Sequence, residues 1–180
     1  MSYYKKIVGE RVYLSPVDPD EVELYLKWMN EDRTLAVNFR QFSQMVSSKN
    51  DLRWLYEPPK DMHRFAIVLL ENDDLIGSIS LHNIDHLNRN AFIGIFIGGE
   101  GHRGQGYGEE AIRLILKYGF HTMNLHSINL SVNANNPAGI SCYKKVGFRE
   151  VGRLPEALFI DGRYVDKIFM AVLEDEYDGT

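Results

Sequence analysis

The residues best suited to chemistry lie in Gly98-Gly-Glu-Gly-His-Arg-Gly-Gln-Gly-Tyr-Gly108. A short apolar, β-rich run, Ala91–Ile97, precedes them, and Ala111, Ile115 and Tyr118 follow at helical spacing with Ile112 and Leu116 beside them. A helix entered this way presents amide N–H groups with no intrahelical partner, at the positive end of its dipole. Glycines there let phosphate oxygens reach the backbone. A phosphate-bearing cofactor is the expectation. Gly99-Glu-Gly101-His-Arg-Gly104 also has the spacing of the dinucleotide fingerprint, but it sits mid-chain. The strand after the helix ends in Asn133-Ala-Asn-Asn136, where a ribose-binding acid is wanted. The Gly-Lys-Ser/Thr of a P-loop is absent. On the loop alone, a connection with no ligand stays open.

A second motif follows in order, Asn136-Pro-Ala-Gly-Ile-Ser-Cys-Tyr143-Lys-Lys-Val-Gly-Phe148. By itself it reads as a helix capped by Asn136, with Pro137 first, Lys144 and Lys145 at its negative end and Gly147 as terminator. Ile140, Tyr143 and Val146 share one face, so Tyr143 on periodicity alone is a core residue. Cys142 has no base beside it in the motif and reads as a small buried residue, not a nucleophile. His63, His82, His86, His102, His121 and His126 show no compact ligand spacing, so no metal is expected.

Taken together, Arg103-x-x-Gly106-x-Gly108 and the motif from Asn136 to Phe148 resemble the GNAT family of N-acetyltransferases. Val151-Gly-Arg-Leu-Pro-Glu-Ala and Asp161-Gly-Arg-Tyr resemble the branch with ribosomal-protein N-terminal and spermidine acetyltransferases. The resemblance runs from about Arg64 to Leu173. It implies acetyl-CoA as cofactor, with backbone groups of Arg103, Gly104, Gln105, Gly106, Tyr107, Gly108 and Glu109 on the pyrophosphate. Ile95, Phe96 and Ile97 would meet the pantetheine arm as an added strand does. One of their amides would also polarise the thioester carbonyl. Asn136 and Lys145 join the implied cofactor contacts, and Tyr143 matches the tyrosine that donates to the departing thiolate. Many relatives carry a glutamate early in the cofactor strand; here that position is Phe92, leaving Asp85, His82, His86 and Glu100 as nearby proton acceptors.

That departure bears on the acceptor. An α-amine of pKa about 7.7–8.0 is partly neutral at pH 7, whereas a lysine-like amine at about 10.4 is not. The gap of about 2.5 units is worth roughly 3.4 kcal/mol. A protein or peptide N-terminus, or a small amine of similar pKa, is therefore expected ahead of a polyamine. Glu31, Asp32, Glu156 and Asp161 keep a polycation site in play. An antibiotic acceptor is a weaker alternative, and a non-catalytic acyl-CoA-binding module is the alternative of another class.

The rest of the chain must position these groups. Arg11–Pro16 reads as a first strand, and Asp18-Pro-Asp-Glu21 as a helix start before the apolar face of Val22, Tyr25, Leu26 and Met29. A short helix is expected around Asn50 to Tyr56. Phe65–Leu70 and Leu75–Leu81 form a hairpin around Glu71–Asp74, and His82–Asn90 is a polar connection. Ile128–Val132 is a further strand, and Asp161-Gly162 turns a hairpin between Ala157–Ile160 and Arg163–Leu173. The fold class is α/β around a single sheet flanked by helices. The resemblance implies the GNAT form: a mixed, mostly antiparallel sheet of about seven strands, splayed between Ala91–Ile97 and Ile128–Val132.

At 180 residues, one N-acetyltransferase domain over 1–180 is expected. A net charge of −5 argues against a generic nucleic-acid binder. No signal peptide and no membrane-length apolar run are seen. A single cysteine fits a reducing cytoplasm. The partners expected are a small amine or protein N-terminus, with a homodimer allowed and neither nucleic acid nor membrane.

Overall fold

The structure, a computed structural model, describes residues 3–38, 52–177 and 179. Among the described residues eight strands form one sheet in the order β1-β2-β3-β4-β5-β6-β8-β7. They are β1 (Ile7–Val8), β2 (Val12–Ser15), β3 (His63–Leu69), β4 (Leu75–Asp85), β5 (Asn90–Ile97), β6 (Ser127–Asn133), β7 (Arg149–Ile160) and β8 (Arg163–Leu173). Among the described residues five α-helices flank it: α1 (Val22–Glu31), α2 (Arg33–Asn38), α3 (Arg53–Tyr56), α4 (Tyr107–Lys117) and α5 (Pro137–Lys145). The strand count exceeds the expected seven by β1, which is two residues long and too short to leave a pattern.

Alternation along the strands sends apolar side chains to both faces. On one face Ile67, Ile79, Ile93 and Ile128 pack with Ala111, Ile112 and Ile115 of α4. On the other Tyr13, Ala66, Val68 and Phe96 pack with Val22, Tyr25 and Trp28 of α1 and Leu55 of α3. With both faces covered, the central strands can be almost continuously apolar, as β3 is from Phe65 to Leu69. Asp18 caps the turn before α1 by accepting from the Asp20 amide, as its sequence signature requires. The short helix expected from Asn50 is found as α3, starting at Arg53; Asn50 and Asp51 lie outside the described residues.

All pairings are antiparallel except β5 with β6. That parallel pairing covers Asn90–Phe92 against Ser127–Asn129 and goes no further, although β5 continues to Ile97 and β6 to Asn133. The two strands therefore fork, at the place the resemblance implied. Two readings need correction. His82–Asp85 is not a connection but the end of β4, paired with β5 across a bulge. Asn83 takes φ 51 there, and the irregularity hides strand alternation in the sequence. β7 is also longer than Ala157–Ile160, running from Arg149 with bulges against β8. Its outward positions are polar or exposed, which conceals it as a strand.

Candidate active site

The fork opens where α4 and α5 begin, since α4 follows β5 and α5 follows β6. Ligands of open α/β sheets collect at such carboxyl ends of diverging strands. Gly106 is the N-cap of α4 with φ 86 and offers no side chain to satisfy the first turn. Among the described residues, none of the amides from Gly104 to Glu109 donates to a protein acceptor; the Glu110 amide is the first to do so, to Gly106 O at 3.1 Å. Gly104, Gln105 and Gly106 are exposed. A row of free amides at a helix N-terminus fits a diphosphate, so the predicted loop residues suit acetyl-CoA. Upstream, the Trp28 ring lies across Gly98, where any Cβ would stand 2.2 Å from it. That glycine is needed for packing, not for the ligand.

The side chain of Arg103 is engaged within the protein. Its Nε donates to Ile97 O at 3.0 Å, and its terminal nitrogen pairs with Asp32. Both charges are largely covered, so the guanidinium ties the loop to the end of β5 and to α1. The cation at the loop mouth is instead Arg11, which nothing local in the sequence marked. It donates to Gln105 O at 2.9 Å, pairs with Glu110 at 3.1 Å and stacks on Tyr107 at 5.0 Å. Glu110 also accepts from the Glu10, Arg11 and Val12 amides, which hold its carboxyl below the ordinary value against the cost of burial. Gln105 closes the loop through its side-chain amide to Gly101 O. Glu109 pairs with Arg113 at 3.2 Å, one turn on.

On β5, Ile95 and Ile97 lie against the α4 core while Phe96 is buried with Tyr25 and Trp28. Across the fork, Asn136 caps α5, its Oδ1 accepting from the Gly139 amide at 3.0 Å. Lys145 is exposed in the last turn of α5. Tyr143 is half-buried, its ring edge-on to Phe148 at 5.9 Å. Among the described residues its hydroxyl has no hydrogen-bond partner, and burial raises its pKa well above the usual phenol value. A phenol so placed holds its proton and has a donor to spare. Burial, with Glu109 nearby, also raises the Cys142 thiol, which keeps it protonated and unreactive.

On the α1–α3 side, the fork continues into a cavity of about 1180 Å³ between β5, β6 and the β7–β8 hairpin. Of the four proton acceptors considered, His82 lines it. His82 faces Phe92 at 6.2 Å and comes within 3.4 Å of where a Cβ on Gly94 would sit. Desolvation, then the positive charge of Arg64, lowers its pKa, so it is a neutral base at pH 7. Asp85 is tied up by Asn88 at 2.9 and 2.7 Å, and His86 and Glu100 are exposed outside the cavity. Of the four acids weighed for a polycation, Asp161 lines the cavity and pairs with Arg33 at 3.3 Å. Asp32 is held by Arg103, and Glu31 and Glu156 are exposed away from it.

Among the described residues no group of acidic, histidine or cysteine side chains could hold a metal. No helix among them is long and apolar enough to cross a membrane.

The sequence profile of the acetyltransferase (GNAT) domain matches residues 11–149. The chain is 36% identical over 140 residues to a spermidine N(1)-acetyltransferase of Vibrio cholerae, covering 76% of this chain and 79% of that one. It is 25% identical over 177 residues to the putative ribosomal N-acetyltransferase YdaF of Bacillus subtilis, covering 96% of each. The crystal structure of the Vibrio cholerae spermidine N-acetyltransferase with CoA and spermine superposes with a TM-score of 0.82 at 28% identity, over 94% of this chain and 99% of that one.

Proposed function

Because the chain belongs to the GNAT family of acetyltransferases, and is an N-acetyltransferase that uses acetyl-CoA, we propose that it acetylates a primary amine by direct attack at the fork between β5 and β6. The observation that carries this reading is the pairing of β5 with β6 over three residues, Asn90–Phe92, beside a run of free amides at α4. Acetyl-CoA supplies the activated acyl group. The amides of Gly104–Glu109 hold its diphosphate, with Arg11 beside them adding positive charge. The edge of β5 from Ile95 to Ile97 orients the arm by backbone bonds. Asn136 keeps α5 in place, and Lys145 is a surface cation near the end of that helix.

Tyr143 holds its proton at the hydroxyl and donates a hydrogen bond to the sulfur as charge develops. A thiol near 8.5 is a stronger acid than a phenol near 10, so full transfer would run uphill by about 1.5 units or more. The tyrosine therefore acts as donor, not acid. His82 takes the proton of the attacking amine, directly or through one water, in place of the glutamate that Phe92 replaces. A weak base of this kind suits an amine of pKa near 8, such as a peptide N-terminus. The likeness to the Vibrio cholerae spermidine N-acetyltransferase supports a polyamine acceptor as the second reading. Coenzyme A release with a peptide N-terminus and with spermidine tests the proposal. Release with neither, despite tight cofactor binding, would make the protein a binding module instead.

A further inference from the structure

Inside the cavity stands a positive charge that none of the described residues neutralises. Arg64 of β3 is half-buried, and its Nε is sealed from solvent with no hydrogen-bond partner. Its contacts are weak or neutral: Ser78 Oγ at 3.4 Å, Met62 Sδ at 3.4 Å and the Trp54 ring 4.5 Å below the guanidinium. Among the described residues it has no carboxylate partner. Burial lowers its pKa to about 10, which still leaves it charged. Lys167 of β8 lines the same cavity, half-buried and without an ion pair among the described residues. Arg33 and Asp161 cancel each other at the exposed mouth. Among the described residues the balance inside is positive.

Taking a charge out of water without a partner is costly, and the guanidinium's planar fork matches two oxygens of an oxyacid. Arg64 pairs in register with Ser80, and Ser80 with Gly94, so these three share one sheet face. Two strand spacings, about 10 Å, separate Arg64 from the strand beside the fork. We propose that the acceptor carries an anionic oxyacid group, carboxylate or phosphate, a few bonds from its amine, and that Arg64 binds this group with Lys167 in support. The inference rests on the acyl-transfer reading above and names its substrate class. The same cations disfavour a second positive charge nearby, so they lower the pKa of the bound amine and repel a polyamine.

Matched acceptors with a common α-amine separate the anion from the nucleophile. Coenzyme A release is measured with alanyl-glutamate amide against alanyl-glutamine amide, with alanyl-phosphoserine amide against alanyl-serine amide, and with spermidine. An acidic peptide is expected to exceed its neutral twin roughly tenfold or more in kcat/KM, mostly through KM. The pair with the larger ratio identifies the group as carboxylate or phosphate. Arg64→Gln should collapse that ratio towards one, whatever it does to the rate common to both peptides, and leave coenzyme A affinity in place. If Arg64 merely ties α3 to the sheet, the ratio would survive. Calorimetry of the same peptides on coenzyme A-loaded wild-type protein gives a preference that does not depend on the variant's folding. Ratios near one in both measurements, or spermidine as the fastest acceptor, overturn the inference and leave the acyl-transfer reading standing. No release with any amine overturns both.

Discussion

Replacing Tyr143 by Phe removes one hydroxyl and little else. The ring keeps its edge-on contact with Phe148 at 5.9 Å, and no protein group among the described residues loses a partner. The fold should therefore tolerate the change. In the reaction the hydroxyl is expected to donate to a sulfur that gains negative charge only as the carbon–sulfur bond breaks. Hydrogen bonds to charged groups contribute about 1.5–3 kcal/mol, which is roughly 10–150-fold in rate. Because the bond strengthens in the transition state, the loss should fall on kcat and kcat/KM together. Coenzyme A affinity, set by amides at α4 and the edge of β5, should change less than about twofold. Turnover is followed by thiol release with a chromogenic reagent, and affinity by calorimetry. Burial has already raised the phenol's pKa, so the wild-type rate should show no break from Tyr143 below pH 10. Unchanged turnover would remove the donor from the mechanism. Equal losses of affinity and rate would recast Tyr143 as a wall of the cofactor site.

Other perturbations test separate links. His82→Gln should lower kcat/KM about 100-fold or more and abolish the limb of the pH profile where the wild-type imidazole protonates, below the ordinary histidine value; a surviving limb would exclude His82 as proton acceptor. Gly106→Ala forces a Cβ onto φ 86 and within 3.0 Å of Arg11, costing about 1–2 kcal/mol of local strain. Coenzyme A binding measured by calorimetry should weaken about tenfold, and undiminished affinity would place the diphosphate elsewhere. Glu21 accepts from the Tyr3 hydroxyl, yet burial raises its carboxyl to about 7 and leaves Oε2 without a partner. The folded state thus binds its proton more tightly than the unfolded state, and stability falls as pH climbs from about 4.5 to about 7. Glu21→Gln should melt higher than wild type at pH 8 and alike at pH 4; the reverse order would refute this.

The loop was legible because glycine carries its own explanation. Gly104 and Gly106 both adopt positive φ, and the free amides between them and Glu109 follow from a helix that starts on a residue with no side chain. The fork was foreseen by resemblance, not by physics, because strand divergence leaves no trace in local pattern. The cavity face was least visible. Arg64 looks like one more polar residue opening a strand, and its isolation emerges from what three strands and α3 fail to place beside it. His82 was weighed as one of four candidates; it shares a sheet face with Ser80 by ordinary alternation, and the bulge that follows it, with Asn83 at φ 51, hid the strand that carries it. The partner of the Arg103 side chain was not legible, because no local pattern joins residue 103 to residue 32.

A sheet held together at its middle by three residues of parallel pairing is mechanically two half-sheets with a hinge line. Acetyl-CoA bound at the fork, as proposed, would lie against that hinge line. A ligand bound by the native state alone adds about 2.7 kcal/mol when present at a hundred times its dissociation constant. The enzyme's lifetime should accordingly rise and fall with the acetyl-CoA supply. A starved cell would lose the catalyst along with the fuel.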